Sequence, residues 1–130
     1  MAVSGDFLAD ACALLAYFGG TGDRMSPQGM AAMRASVGIS ALTVWELTRK
    51  AAIGKLPPLP EEGGSFAAYL AGEGFTLVPL LWEDGERANR LPPLHKDPMD
   101  RMLAAQALRL GLPVITEDDI FRDYGVRTVW

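Results

Sequence analysis

The sequence predicts an α/β fold with a mainly parallel sheet covered on both faces. Three observations carry that prediction. Short apolar runs alternate with helical stretches along the chain, the pattern of strand–helix–strand units. Glycines and prolines punctuate the junctions, at Gly19-Gly20, Gly54, Pro92-Pro93 and Gly111. Acidic residues fall where strands hand over to the next segment, at Asp10 and at Asp118-Asp119. In sheets of this kind ligands bind beyond the carboxyl ends of the strands.

The elements follow in order. Phe7-Leu8-Ala9 is a short strand ending at Asp10, and a helix from Ala11 to Phe18 stops at Gly19-Gly20. Residues 20–28 form a turn-rich connection, and Pro27 opens a short helix to about Ala35. Val37-Gly38-Ile39 is the second strand, and Ser40 caps a helix from Ala41 to Ile53. The prolines and glycines of Gly54 to Gly64 forbid regular structure and read as a surface excursion. Ser65 to Ala71 is a short helix, Phe75 to Val78 a strand, and Glu83 to Leu91 a helix ended by Pro92-Pro93.

The stretch from His95 to Ala107 carries the strongest helix signal. Asp97 suits the N-cap, where its side chain accepts free amide hydrogens of the first turn. Pro98 suits the first helical position, where a missing N–H costs nothing. Met99, Met102, Leu103, Gln106 and Leu110 recur at helical spacing, and Gly111 is placed to end the helix. Pro113-Val114-Ile115 is a strand, a helical turn runs through Phe121, and Val126 to Val129 is the last strand.

Composition bounds the function. The chain of 130 residues fits a single domain over 1–130 with a real core, and 49% apolar residues is too many for disorder. No apolar run is long enough for a membrane span, and no basic segment precedes an apolar one at the start, so a cytoplasmic location is expected. One cysteine excludes an internal disulfide and a cysteine zinc site; with one histidine as well, any metal must be held by oxygen ligands. The net charge of −4 argues against a broad basic platform but permits a basic rim around an acidic centre.

Each acid has a local explanation. Asp10 can cap the helix that follows it, Asp118 or Asp119 can cap the turn before Phe121, and Asp100 can complete a capping box with Asp97. Glu46 lies inside a helix beside Leu42 and Ile53 and can pair with Arg49 or Lys50. Their combination asks for more. Acids from separate segments, brought to one edge of a parallel sheet, would repel and raise one another's pKa. A divalent cation removes that conflict, and oxygen ligation favours Mg2+ or Mn2+. Cys12 and Trp45 read as core residues, and His95 as a structural side chain.

In this order the segments Phe7-Leu8-Ala9-Asp10-Ala11, Val44-Trp45-Glu46-Leu47 with Gly54-Lys55-Leu56, His95 to Ala107, and Thr116-Glu117-Asp118-Asp119-Ile120-Phe121 resemble the successive motifs of PIN-domain ribonucleases, nearest to the VapC toxins of type II toxin–antitoxin systems. The Asp-Pro-Met-Asp-Arg block followed by Ala-Gln-Ala is its most specific part. The resemblance implies a three-layer α/β/α sandwich with about five strands. It implies the acidic, metal-holding set Asp10, Glu46, Asp100 and Asp118, with Asp97 and Asp119 as second choices and Thr116 and Ser40 as supporting hydroxyls. Ala11 stands where the family often has Thr, and Met99 where Phe is common.

The implied activity is Mg2+- or Mn2+-assisted hydrolysis of RNA, leaving a 5′-phosphate and a 3′-hydroxyl. Arg49, Lys55, Lys96 and Arg101 are candidates to meet the RNA backbone. The implied partners are a second copy and a VapB-type antitoxin, in a heterotetramer or larger assembly and with no membrane. The helix Ala41 to Ile53 and the loop Gly54 to Gly64 would form part of the antitoxin groove.

Two other classes compete. A receiver-type phosphoacceptor also gathers acids at strand ends, but it needs a lysine after a late strand, and no lysine follows Lys96. An inactive PIN-like interaction module would not need the acids.

Overall fold

The computed structural model describes residues 5–19 and 24–130. Its strands, all parallel, form a five-stranded sheet in the order β3-β2-β1-β4-β5. They are β1 (Phe7–Ala9), β2 (Val37–Ser40), β3 (Thr76–Val78), β4 (Val114–Ile115) and β5 (Thr128–Val129). The helices between them are α1 (Ala11–Phe18), α2 (Pro27–Met33), α3 (Ala41–Ala52), α4 (Phe66–Gly72), α5 (Trp82–Arg90), α6 (Pro98–Leu110) and α7 (Ile120–Asp123). Part of the connection expected over 20–28 lies outside the described residues. Several ends differ from the expected ones by a residue or two. The last strand is shorter, because Val126 is still bonded back to Phe121 at 3.0 Å in the turn that closes α7.

Successive side chains of a strand point to opposite faces, and both faces of this sheet are apolar. Leu8 and Val114 face one side, where they pack with Leu103, Ala104, Ala107, Phe121, Tyr124 and Val126. Ala9 and Ile115, their chain neighbours, face the other, with Leu14, Met33, Leu47, Phe66, Leu70 and Phe75. Helices therefore cover both faces, and the expected three-layer α/β/α arrangement is formed.

The order of the strands reverses at β1. The chain moves from β1 to β2 and β3 on one side, then crosses to β4 and β5 on the other. The crevice at such a reversal is where open parallel sheets hold their ligands.

Helix α6 is fixed at both ends and along its side. The Asp97 carboxylate accepts from the Met99 N–H at 2.9 Å, Pro98 opens the helix, and Gly111 ends it with φ of 68°, a left-handed turn that favours glycine. Leu103, Ala104, Ala105 and Ala107 are buried, and burying Leu103 alone contributes about 2 kcal/mol. The Arg109 guanidinium grips the Asp84 carboxylate of α5 with two bonds of 2.6 and 3.0 Å. Asp84 is fully buried and also accepts from the Leu81 N–H at 2.9 Å, so its charge is compensated.

Candidate active site

A cleft of about 570 Å3 opens at the carboxyl ends of β1, β2 and β4. Asp10 reaches it from the end of β1, Glu46 from α3, Asp97 and Asp100 from the start of α6, and Glu117, Asp118 and Asp119 from the turn after β4. Cys12, Leu42, Thr43, Met99 and Leu103 line the rest with apolar and small polar surface. The structure thus brings together all the acids singled out in the sequence, and adds Glu117.

Local structure fixes each carboxylate. Asp10 does cap α1, accepting from the Ala13 N–H at 2.8 Å. It also receives a hydrogen bond from the Thr116 hydroxyl. That hydroxyl oxygen accepts in turn from the Asp118 N–H at 3.0 Å, so Thr116 ties the end of β1 to the turn after β4. Asp118 accepts from the Ile120 N–H at 3.1 Å, which shapes the entry to α7. Asp97 is the cap of α6, and the capping-box bond considered for Asp100 is absent among the described residues. Asp100 is left facing the cleft.

The electrostatics follow from this crowding. Burial pushes the Asp10 carboxyl up from its ordinary 3.8 to about 6; the bonds from Thr116 and Ala13 oppose the rise, and the charges of Glu46 and Asp118 add to it. Burial likewise pushes Asp100 up to about 7, with Asp97, Asp118 and Glu46 contributing repulsion. Burial and the nearby charges of Asp10, Glu117 and Glu46 also raise the Cys12 thiol. Glu46, Glu117 and Asp119 are paired with Lys50, Arg24 and Arg122, whereas Asp10, Asp97, Asp100 and Asp118 have no cation partner among the described residues, so their negative charge is left uncompensated.

The donors are oxygens, as Mg2+ and Mn2+ require. Among the described residues no group of three or more His, Cys, Asp or Glu side chains is drawn together closely enough to form a ready-made metal cage. The fit therefore rests on the chemistry of the donor set and on the uncompensated charge, which a divalent ion would offset.

Several sequence expectations change. Arg101, a candidate for the RNA backbone, is committed inside the protein. Its guanidinium donates to the carbonyls of Ala88, Leu91, Pro92 and His95 at 2.8 to 3.3 Å and to the Tyr124 hydroxyl at 3.2 Å. Trp45 is 56% exposed instead of buried. It stands about 200° around α3 from the buried Leu47, at roughly 100° per residue, with the Arg49 guanidinium 5.8 Å from its ring centroid. Cys12 is exposed on the cleft wall, because the inward positions of α1 are Ala11, Ala13, Leu14 and Ala16.

Ser40 is fully buried and accepts from the Leu42 N–H at 3.1 Å, so it serves as the cap of α3. Asp119 stands at the rim in an ion pair of 2.7 Å with Arg122. Lys55 and Lys96 are exposed, and His95 bonds Asp123 at 2.9 Å.

Sequence reasoning passed over Lys50 as part of the site and treated it only as a pairing partner. Its ammonium donates to the Glu46 carboxylate at 2.8 Å. The signal was present, since a lysine four residues after an acid lies on the same helix face.

Comparison with known proteins agrees with the fold. One matched structure is VapBC2 from Rickettsia felis bound to a DNA fragment from its promoter, at 10% identity, a TM-score of 0.63, and 94% and 96% coverage of this chain and that one. Another is FitAcB from Neisseria gonorrhoeae, at 17% identity, a TM-score of 0.59, and 95% and 96% coverage. A toxin–antitoxin complex from Klebsiella pneumoniae matches at 18% identity, a TM-score of 0.54 and 86% coverage of each chain. Among curated proteins, none matches significantly. The PIN domain family model matches residues 7–126, from the first residue of β1 through α7, and the chain belongs to the PIN domain family.

Proposed function

We propose that the protein is a metal-dependent endoribonuclease that acts as the toxin of a toxin–antitoxin pair. The observation that carries the reading is the convergence of Asp10, Glu46, Asp100 and Asp118 from separate elements on one cleft at the reversal of the sheet. The family match and the likeness of the fold to toxin–antitoxin structures support it.

Asp10, Glu46, Asp100 and Asp118 would hold Mg2+ or Mn2+. A divalent ion held there would supply activation of a water for in-line attack and stabilisation of the charge on the phosphate and leaving oxygen. The chain's own residues do the positioning. Thr116 holds Asp10 and Asp118 in a fixed relation. The cap and the apolar face of α6 hold Asp100 against them. Leu42, Met99 and Leu103 limit water around the acids and so strengthen electrostatic interactions inside the cleft. Exposed Arg49, Lys55 and Lys96 are the cations available to an RNA backbone.

The antitoxin is the partner that would silence this site, and a second copy would complete the toxin dimer. Trp45 on α3 and Ile53 just past its end, exposed at 56% and 51%, would supply apolar contact for a partner segment.

The test is RNA cleavage by the purified protein with Mg2+ or Mn2+, with chelator, and with Asp100→Asn. Cleavage that needs the ion and falls at least a hundredfold in Asp100→Asn is expected. Cleavage indifferent to chelator and to Asp100→Asn would sink the reading and favour an interaction module. Growth arrest on expression, relieved by a co-expressed antitoxin, tests the toxin role separately.

A further inference from the structure

Thr43 sits in the first turn of α3, between the cap Ser40 and Glu46. It is 3% exposed, yet it lines the cleft together with Leu42 and Glu46. The neighbouring hydroxyls are spent inside the protein: Ser40 on the Leu42 N–H, Thr116 on Asp10 and the Asp118 N–H, and Thr48 on the carbonyls of Val44 and Trp45. Among the described residues the Thr43 hydroxyl has no such partner. It is not sealed off either, because the buried side-chain polar atom left unpartnered among those residues is Oε1 of Gln106. The hydroxyl therefore opens on the cleft. A buried, β-branched side chain has little freedom to turn it elsewhere.

What it faces is a wall of acceptors. The other polar side chains of the lining are carboxylates and the Cys12 thiol, a weak donor, and no lysine or arginine of the described residues lines the cleft. A phosphodiester entering there brings charged oxygens that need donors. The start of α3 suits them. Helices α1 and α6 also begin at the cleft, but their caps are the carboxylates of Asp10 and Asp97, whereas α3 begins with the neutral Ser40. The positive end of its dipole is not offset by its own cap.

We propose that the Thr43 hydroxyl donates to a non-bridging oxygen of the RNA phosphate in the cleft, which makes Thr43 a substrate-binding residue. This rests on the nuclease reading given above. The oxygen carries charge both before and during cleavage, so the bond lowers KM more than it raises kcat.

The experiment measures kcat and KM for Mn2+-dependent cleavage of one end-labelled single-stranded RNA, and the melting temperature of the metal-free protein, in the wild type, Thr43→Val and Thr43→Ser. Valine keeps the shape and removes the donor. The loss of a hydrogen bond to a charged group predicts a KM raised about tenfold or more in Thr43→Val, with kcat within about threefold. Thr43→Ser, which keeps the hydroxyl, should stay within about threefold of the wild type in both. The melting temperature of Thr43→Val should match the wild type's, because no bond inside the protein is lost. The Mn2+ concentration for half-maximal cleavage should also stay unchanged. An unchanged KM in Thr43→Val, or a loss confined to kcat, overturns the proposal. A KM raised as much in Thr43→Ser overturns it as well. A Thr43→Val protein that melts markedly lower or does not fold shows a hydroxyl spent inside the protein, and a shifted Mn2+ requirement shows one that serves the ion; either result overturns it too. A wild type that cleaves no RNA with Mn2+ removes the nuclease reading itself, and this proposal with it.

Discussion

Asp100 and Arg101 are adjacent in the chain and leave α6 on different business: the Asp100 carboxylate faces the acidic cleft, while the Arg101 guanidinium reaches the carbonyls of Ala88, Leu91, Pro92 and His95. The arginine thereby fastens the end of α5 and the segment after it to the helix that presents Asp100. Arg101→Ala strands several carbonyls that had a charged donor, and a hydrogen bond to a charged group is worth about 1.5–3 kcal/mol. A loss of about 2–4 kcal/mol in urea denaturation is expected. Lysine cannot reproduce the planar fork, so Arg101→Lys should recover less than half of the loss.

Asp84 and Arg109 allow a sharper stability test. Arg109→Ala leaves a fully buried carboxylate without its bidentate partner. Breaking a buried pair in this way costs about 3–5 kcal/mol. Replacing both partners by apolar residues of similar volume should cost markedly less, and chemical denaturation of the single and double variants measures the difference.

The cleft predicts how stability without metal depends on pH. Asp100 has a folded-state value of about 7, above its ordinary 3.8. A raised carboxyl contributes stability that is fully present below the unfolded value and is lost as pH rises through the folded one. Asp10, raised to about 6, acts in the same direction. The melting temperature in chelator should therefore fall between about pH 4 and pH 7. Asp100→Asn, which cannot ionise, should flatten that fall, and a melting series across this range reads it directly.

Ser40 separates a cap from a catalytic hydroxyl. Its side chain is enclosed and bonded to the Leu42 N–H. Ser40→Ala should cost about 1 kcal/mol, the usual value of a lost helix cap. Divalent-ion-dependent RNA cleavage, measured as for Asp100→Asn, should stay unchanged.

Much of this architecture was legible in the sequence, for physical reasons particular to each element. Asp97-Pro98 and Gly111 mark α6 because a cap, an imino residue and a left-handed turn have few other uses together. Alternation of strand and helix fixed the parallel class, and the acids at strand ends followed from it. What sequence could not supply was facing. Trp45 and Cys12 look like core residues by type, yet helix geometry turns both outward. Arg101 looks like a free cation because its partners are backbone carbonyls of a segment that ends before it, and carbonyls carry no signature in the residue types. The pair of Glu46 and Lys50 was readable from its spacing; its place on the cleft required the packing of α3 against α6.

The reversal of strand order at β1 has a consequence for the timing of activity. β1 has one neighbour that is the next strand in the chain, β2, and one from much later, β4. A nascent chain that has released β1 through β3 possesses Asp10 and Glu46 but neither Asp100 nor Asp118. It also lacks Thr116, the hydroxyl that joins Asp10 to the later turn. The cleft comes into being when β4 docks against β1, so a ribosome-bound fragment of the first half carries half of the acids and no complete site.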